Sequence, residues 1–239
     1  MEQRHLFFSI VVPTHNEEKC IEETLTALAA LDYPKDRYEV LVIENGSTDR
    51  TLEKARPFAD SHIHIFSYSQ KGVSFARNRG AERARLDADW VIFLDADTYL
   101  APPFLLELNE FLSAKDKHAY AAGVFKILPR SAKFFTRLLY PLGNFSRWLT
   151  HSLPYTTFAI RRDVLTTVKS DERRQVAEDL AFVAAAKKYG RAFYLSTNSV
   201  ATSTRRFDAV GWLHMIFFWA LVIPLPAVLQ RAFVYKVIR

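Results

Sequence analysis

The chain opens on an apolar run, LFFSIVV (6–12), that stops at Pro13. Three similar runs follow: YEVLVI (38–43), SHIHIF (61–66) and DWVIFL (89–94). Short, β-branched and aromatic, they read as strands. Helical spacing fills the gaps. Residues 17–31 set Ile21, Leu25 and Leu28 on one face, with Asn16 as a candidate N-cap. Residues 73–87 form an Ala- and Arg-rich helix. Strands alternating with helices predict βα units, an α/β fold with a parallel sheet. DWVIFL is apolar on both faces, as a central parallel strand should be.

Beyond Pro102 the pattern loosens. Residues 103–112 read as a helix and AYAAGVFKIL (119–128) as a strand. TTFAIRR (156–162) reads as a strand entering a helix, and 176–190 as a helix stopped by Gly190. RSAKFFTRLLYPLGNFSRWLTH (130–151) mixes basic and aromatic residues. The stretch 209–230 has 22 residues and no formal charge. No internal repeat or low-complexity segment is present.

A polar cluster follows three of the first four runs. Thr14-His15-Asn16-Glu17 follows the first, Glu44-Asn45-Gly46-Ser47-Thr48-Asp49 the second, and Asp95-Ala96-Asp97 the fourth. In an open parallel sheet the strand C-termini share one edge, where ligands bind. Three clusters from distant sequence are therefore expected in one crevice.

Composition narrows the chemistry. With 239 residues, 49% of them hydrophobic and 24% charged, the chain can bury a sizeable core. Its one cysteine, Cys20, excludes an intrachain disulfide and suits a reducing compartment. Cys20 falls on the apolar face of the first helix, where packing is its expected role. A net charge of +6 suits phosphorylated substrates, anionic lipid or nucleic acid, or is only a solvated surface. The N-terminal MEQRHLFFSIVV lacks a signal-peptide pattern. The seven histidines show no zinc spacing. There is no Gly-x-x-x-x-Gly-Lys loop and no Gly-x-Gly-x-x-Gly, which argues against P-loop NTPases and dinucleotide dehydrogenases.

On an extended backbone Asp95 and Asp97 would face one side and share a divalent cation, Mg²⁺ or Mn²⁺, with substrate phosphates. Alternatively, the triplet caps the helix that follows. Glu44 and Asn45 sit where a strand end can accept from a base or ribose, and Asp49 opens a helix. Arg77 and Asn78 lie near a strand–helix junction. Glu178-Asp179 open a helix, either as dipole-favoured capping residues or with a carboxylate as general base. Arg205 and Arg206 offer paired N–H donors for phosphate, or form a basic flank to the uncharged segment.

The order VVPTHNEE, VIENGSTD, GVSFARNRG, FLDADT, AEDLAF resembles the family-2 glycosyltransferases of GT-A fold over about residues 7–207. The resemblance implies a Rossmann-like, mostly parallel sheet flanked by helices, and inverting transfer from a nucleotide-diphosphate sugar of UDP or GDP type. By it, Pro13, Thr14, Asn16, Glu17, Glu44, Asn45 and Asp49 line the nucleotide pocket. Asp95 contacts the ribose or metal region, Asp97 binds the metal, and Asp179 is the catalytic base beside Glu178. Arg77 and Asn78 lie close to the donor. The family usually carries Asp where Glu44 stands, and Glu reaches farther. TSTRRF stands where processive synthases carry Gln-x-x-Arg-Trp, which argues for a non-processive enzyme. A sugar-nucleotide pyrophosphorylase would also use acidic metal ligands, but its Gly-rich N-terminal loop is missing. A non-catalytic membrane-bound nucleotide-sugar-binding module is the third reading.

The expected division is a transferase domain over 1–207 and an apolar, membrane-associated helical segment over 208–239. Residues 209–230 are long enough to span a bilayer. Pro224, Pro226 and basic flanks on both sides keep an interfacial insertion and a buried helix as alternatives. Lys133, Arg137 and Arg147, alternating with apolar residues in 130–151, suit a headgroup region or an acceptor-side lid. The expected partners are the sugar donor, a glycan or lipid-linked acceptor and the cytoplasmic face of a membrane, with no nucleic acid.

Overall fold

The computed structural model describes residues 4–211 apart from 117, 132 and 175, together with 217 and 221. The four expected strands are present as β1 (Phe8–Thr14), β2 (Tyr38–Asn45), β3 (Ile63–Tyr68) and β4 (Trp90–Leu94). Helices α1 (Ile21–Ala29), α2 (Thr51–Ala55) and α3 (Val73–Arg83) connect them. Then come β5 (Thr98–Leu100), α4 (Phe104–Ser113), β6 (Tyr120–Phe125), β7 (Leu128–Pro129) and α5 (Phe134–Thr150). The described chain ends with β8 (Thr157–Arg161), α6 (Glu178–Ala186), β9 (Arg191–Leu195), β10 (Val200–Thr202) and α7 (Arg205–Val210).

Among the described residues one sheet has seven strands in the order β3-β2-β1-β4-β8-β6-β9. The first four are parallel, β8 runs against both its neighbours, and β6 and β9 are parallel. Alternate side chains of the central strands enter opposite layers, as the period of two requires. Ile10, Val12, Val40, Val42 and Ile92 pack with Leu25 and Leu28 of α1 and Leu105 and Leu108 of α4. Val11, Leu41, Ile43, Val91 and Phe93 pack with Ala76 of α3 and Phe182 and Val183 of α6. The α3 layer lies close: a Cβ on Gly80 would come within 2.2 Å of the Val11 side chain. Only glycine allows that approach.

The expected helix over 17–31 is shorter and lacks its expected cap. Asn16 adopts a left-handed φ of 54°, and its carboxamide oxygen accepts from Thr48 N–H at 2.7 Å. That bond takes the group that would have capped, and the helix starts only at Ile21. The expected strand over 119–128 breaks into β6 and β7, where Asn144 clamps both backbone groups of Ile127. The helix after Glu178 ends at Ala186 and tightens into a single 3₁₀ turn, Lys187–Tyr189.

Helix α5 reverses the usual polarity of a surface helix. Thr136, Tyr140, Asn144 and Arg147 face inward and are buried, while Phe134, Leu138, Leu142, Phe145, Trp148 and Leu149 are exposed. Arg147 is thus buried rather than on the surface of the basic-aromatic stretch. Most of 209–230 lies outside the described residues; Phe217 and Leu221 are helical and exposed. Among the described residues no helix is long and apolar enough to cross a membrane.

Candidate active site

Register brings the first two polar clusters together. Thr14, just after Pro13, pairs with Glu44 across β1 and β2, and Glu44 pairs with Ser67 across β2 and β3. The loops beyond them are laced by side-chain-to-backbone bonds. Asn16 N–H donates to Ser47 Oγ (3.0 Å), Glu17 N–H to Thr51 Oγ1 (2.7 Å) and Glu18 N–H to Asp49 Oδ2 (3.2 Å). Asp49 also accepts from Thr51 N–H, so it binds its own helix start to the first loop. Glu44 is buried, and its two oxygens accept from Ser47 N–H and Ser67 O–H, each at 2.5 Å. Asn45 donates to Gly72 C=O at 3.2 Å. Ser47 Oγ and Thr48 N–H carry the bonds that join the two loops.

The third cluster lies beside them but is not an extended strand end. Asp95 C=O accepts from Thr98 N–H at 2.9 Å, so Asp95-Ala96-Asp97 is a turn. Its carboxylates reach different arginines, which departs from the shared-side geometry expected of an extended backbone. Asp95 Oδ1 is 3.4 Å from Arg77 Nη2, and Asp97 Oδ2 is 3.2 Å from Arg205 Nη2. The small sheet β5-β10-β7 explains the second pairing. β5 follows Asp97 and β10 precedes Arg205, and the two strands are antiparallel neighbours. Ser203 N–H closes the gap on Asp97 C=O at 3.1 Å. Arg205 also pairs with Glu17 and reaches Cys20 Sγ at 3.2 Å. Burial pushes the Cys20 thiol up. Arg206 follows in α7, and its side chain is outside what the structure describes.

Glu17 and Asp97 thus converge on one cationic group. The place favours positive charge, and two carboxylates completed by ligand phosphates are a donor set that Mg²⁺ or Mn²⁺ accepts. Among the described residues no three His, Cys, Asp or Glu side chains gather as a metal site. A bound ion would need oxygens from the ligand.

Arg77 ties the other aspartate to α6. It is 3% exposed, donates to Glu178 Oε1 at 3.0 Å, and lies over the Phe158 ring at 5.4 Å. Ala177 takes a left-handed φ of 53° immediately before α6. Backbone strain of this kind in a residue with a Cβ collects at functional sites. Asp179 stands in the same cluster. Burial first, and then the Glu178 charge, raise its carboxyl to about 8, against the opposing pull of Arg77. Asn78 has a different place. Its carboxamide bonds Ser170 N–H, Ser170 C=O and Glu172, and so holds the loop that leads to α6.

One part of this edge was missed in the sequence. β8 is antiparallel, so its start rather than its end meets Asp95. Leu94 pairs with Thr157, and Asp95 N–H donates to Thr156 C=O at 2.8 Å. Tyr155, Thr156 and Thr157 therefore join the cleft. A rule that looks only after strands cannot find them.

A large mixed α/β sheet flanked by helices, with an Asp-x-Asp turn at its polar edge, is a GT-A-type architecture. The family model for glycosyl transferase family 2 matches residues 9–168, and the chain belongs to that family. It is 28% identical over 187 residues to the probable glycosyltransferase YdaM of Bacillus subtilis (strain 168), covering 72% of this chain and 44% of that one. The chain thus spans less than half the length of that relative. S. aureus TarS 1–349, solved in complex with UDP-GlcNAc, superimposes with a TM-score of 0.65 at 24% identity, over 84% of this chain and 59% of that one. The mannosyltransferase PcManGT from Pyrobaculum calidifontis, solved with GDP-Man and Mn²⁺, gives 0.65 at 22% identity, over 92% and 64%. These structural likenesses concern the fold.

Proposed function

We propose that the chain is an inverting, non-processive transferase that moves a sugar from a nucleotide diphosphate of UDP or GDP type to an acceptor hydroxyl or a lipid phosphate. The cluster of Asp95, Glu178 and Asp179 around the buried Arg77 carries the reading. It joins a carboxylate of raised proton affinity to the Asp-x-Asp turn through a single guanidinium. Asp179 would take the acceptor proton as the acceptor oxygen bonds to the anomeric carbon. The bond from that carbon to the diphosphate breaks, and its electron pair leaves with the nucleotide. Asp97, with Glu17 close by, would hold a divalent ion, which supplies Lewis-acid neutralisation of the leaving group. Arg205 would add paired N–H donors to the same diphosphate. The loops around Pro13, Thr14, Asn16, Glu44, Asn45 and Asp49 would enclose the nucleoside. The ligands named for TarS and PcManGT support the donor class, and that of PcManGT supports Mn²⁺. The outward apolar face of α5 and the uncharged 209–230 support attachment of a domain over 1–207 to the cytoplasmic face of a membrane.

Transfer assays with UDP- and GDP-sugars and Mn²⁺ test this. Asp97→Ala and Asp179→Asn should each abolish transfer while circular dichroism stays native, and NMR of the product should show the inverted anomer. Near-normal turnover of Asp179→Asn would remove Asp179 from the base role.

A further inference from the structure

Arg147 is not used by the chemistry above, yet it is unusual for an arginine. It lies on the inner face of α5 and is 8% exposed. Among the described residues no carboxylate stands within ion-pair distance of it. Its hydrogen bond runs from Nη1 to Asn144 Oδ1 at 3.0 Å, and its guanidinium lies 5.3 Å from the Tyr155 ring centroid. Nε has no partner. A buried arginine is normally paired, because an uncompensated charge in the interior costs several kcal/mol. Burial accordingly pushes the Arg147 guanidinium below its usual value.

The surroundings point the same way. The two residues after Tyr155 carry hydroxyls, Thr156 Oγ1 and Thr157 Oγ1, that are buried without a partner. Thr156 is the residue bonded to Asp95 N–H. Arg147 is close enough to Asp179 for their charges to interact, and Tyr140 feels both Arg147 and Asp97. An unmatched cation with a free N–H edge, and hydroxyl donors nearby, therefore sit on the side of the cleft that holds the base.

We propose that Arg147 anchors a phosphate group carried by the acceptor. The proposal rests on the transfer reading above and narrows its acceptor class to phosphate-bearing molecules. A guanidinium with open N–H groups matches phosphate oxygens through paired bonds. Asn144 orients it, and the Tyr155 ring supports its face. The phosphate can belong to a lipid or to a soluble polyol phosphate. The apolar outer face of the same helix favours the lipid.

Binding to the full chain without donor separates these. The probes are glycerol 3-phosphate, and polyprenyl phosphate in phosphatidylcholine vesicles, with UDP and Mn²⁺ as the donor-side control. Arg147→Gln should weaken binding of at least one phosphate probe by about tenfold, the worth of a charge-assisted bond. UDP binding should stay within about twofold. The probe that depends on Arg147 names the source. Unchanged binding of both probes overturns the proposal, as does a matching loss of UDP affinity, which would assign Arg147 to the donor side. Should Arg147→Gln fail to fold, Arg147→Lys identifies the Arg147 Nε–H signal by its absence from the ¹⁵N NMR spectrum. In the wild type that signal should shift with one phosphate probe and not with UDP; no shift with either probe overturns the proposal. These titrations need no turnover, so their failure is distinct from a failure of the transfer reading.

Discussion

The loops after β1 and β2 hold one another through short side-chain-to-backbone bonds, such as Asn16 to Ser47 and Thr48 and Glu18 to Asp49. The opposite wall, made by α5, α6 and the start of β8, is held by charged groups that meet over long sequence distances, such as Arg77 with Glu178. On the first wall many polar groups are committed before any ligand arrives. On the second, Arg147 Nε and the Thr156 and Thr157 hydroxyls are unmatched, and the Asp179 carboxyl is held largely protonated at neutral pH. The first wall is built to be rigid around a ligand. The second is built to respond to charge, which is what a proton-accepting wall needs.

The strongest way to break that contrast is to neutralise Asp179. A positioned general base typically contributes about 10²–10⁴ in rate, so Asp179→Asn should lose that much. In the wild type kcat/KM should climb as pH rises through about 8, where the carboxyl ionises. Stability runs the other way. The folded-state value lies above the ordinary 3.8, so the folded chain holds this proton more tightly than the unfolded chain. That contribution is fully present below about 4 and is lost as pH rises through about 8. Asp179→Asn should therefore stabilise the fold at pH 9, by about 1–3 kcal/mol, and do little at pH 4. Equal effects on denaturation midpoints at both pH values would show that the carboxyl is not buried against its charge.

Next in size is Arg77, the strut of the responsive wall. Arg77→Ala leaves Asp95, Glu178 and Asp179 together without their shared cation. Breaking a buried ion pair by removing one partner costs about 3–5 kcal/mol. Arg77→Lys should cost less, because it retains the charge but loses the fork that reaches both Asp95 and Glu178. Urea denaturation measures both. A loss below about 1 kcal/mol for Arg77→Ala would mean that the cluster is solvated and that the wall is not held by charge.

The two walls were also unequally legible. Pro13 to Glu17, Glu44 to Asp49 and Asp95 to Asp97 each follow an apolar strand directly, and a parallel sheet delivers all three to one edge. Local sequence therefore sufficed to bring them together. The separate partners of Asp95 and Asp97 were hidden, because they arise from a turn and from the β5–β10 pairing rather than from extended backbone. The burial of Arg147 was hidden, since the helix that carries it turns its polar face inward against the amphipathic rule. Thr156 and Thr157 were invisible because β8 runs antiparallel. Where contacts are set by reversed polarity or reversed strand direction, short-range patterns carry little of the answer.

The smallest effect sharpens the rigid wall. Family-2 members usually have Asp where Glu44 stands, and the longer residue reaches farther. In the fold Glu44 turns back, and its two oxygens span from Ser47 N–H in the turn to Ser67 O–H on β3. Aspartate is one methylene shorter and cannot hold both. Glu44→Asp should leave one donor to water in a half-exposed turn, at a cost of about 1 kcal/mol, or about 2–4 °C in melting temperature for a domain of this size. The ratio of UDP to GDP affinity should stay within about twofold, because both oxygens of Glu44 already accept from the protein and the side chain is buried. A ratio that swings by about tenfold would mean that Glu44 touches the base itself, and the first wall would then be readable by its ligand rather than closed in advance.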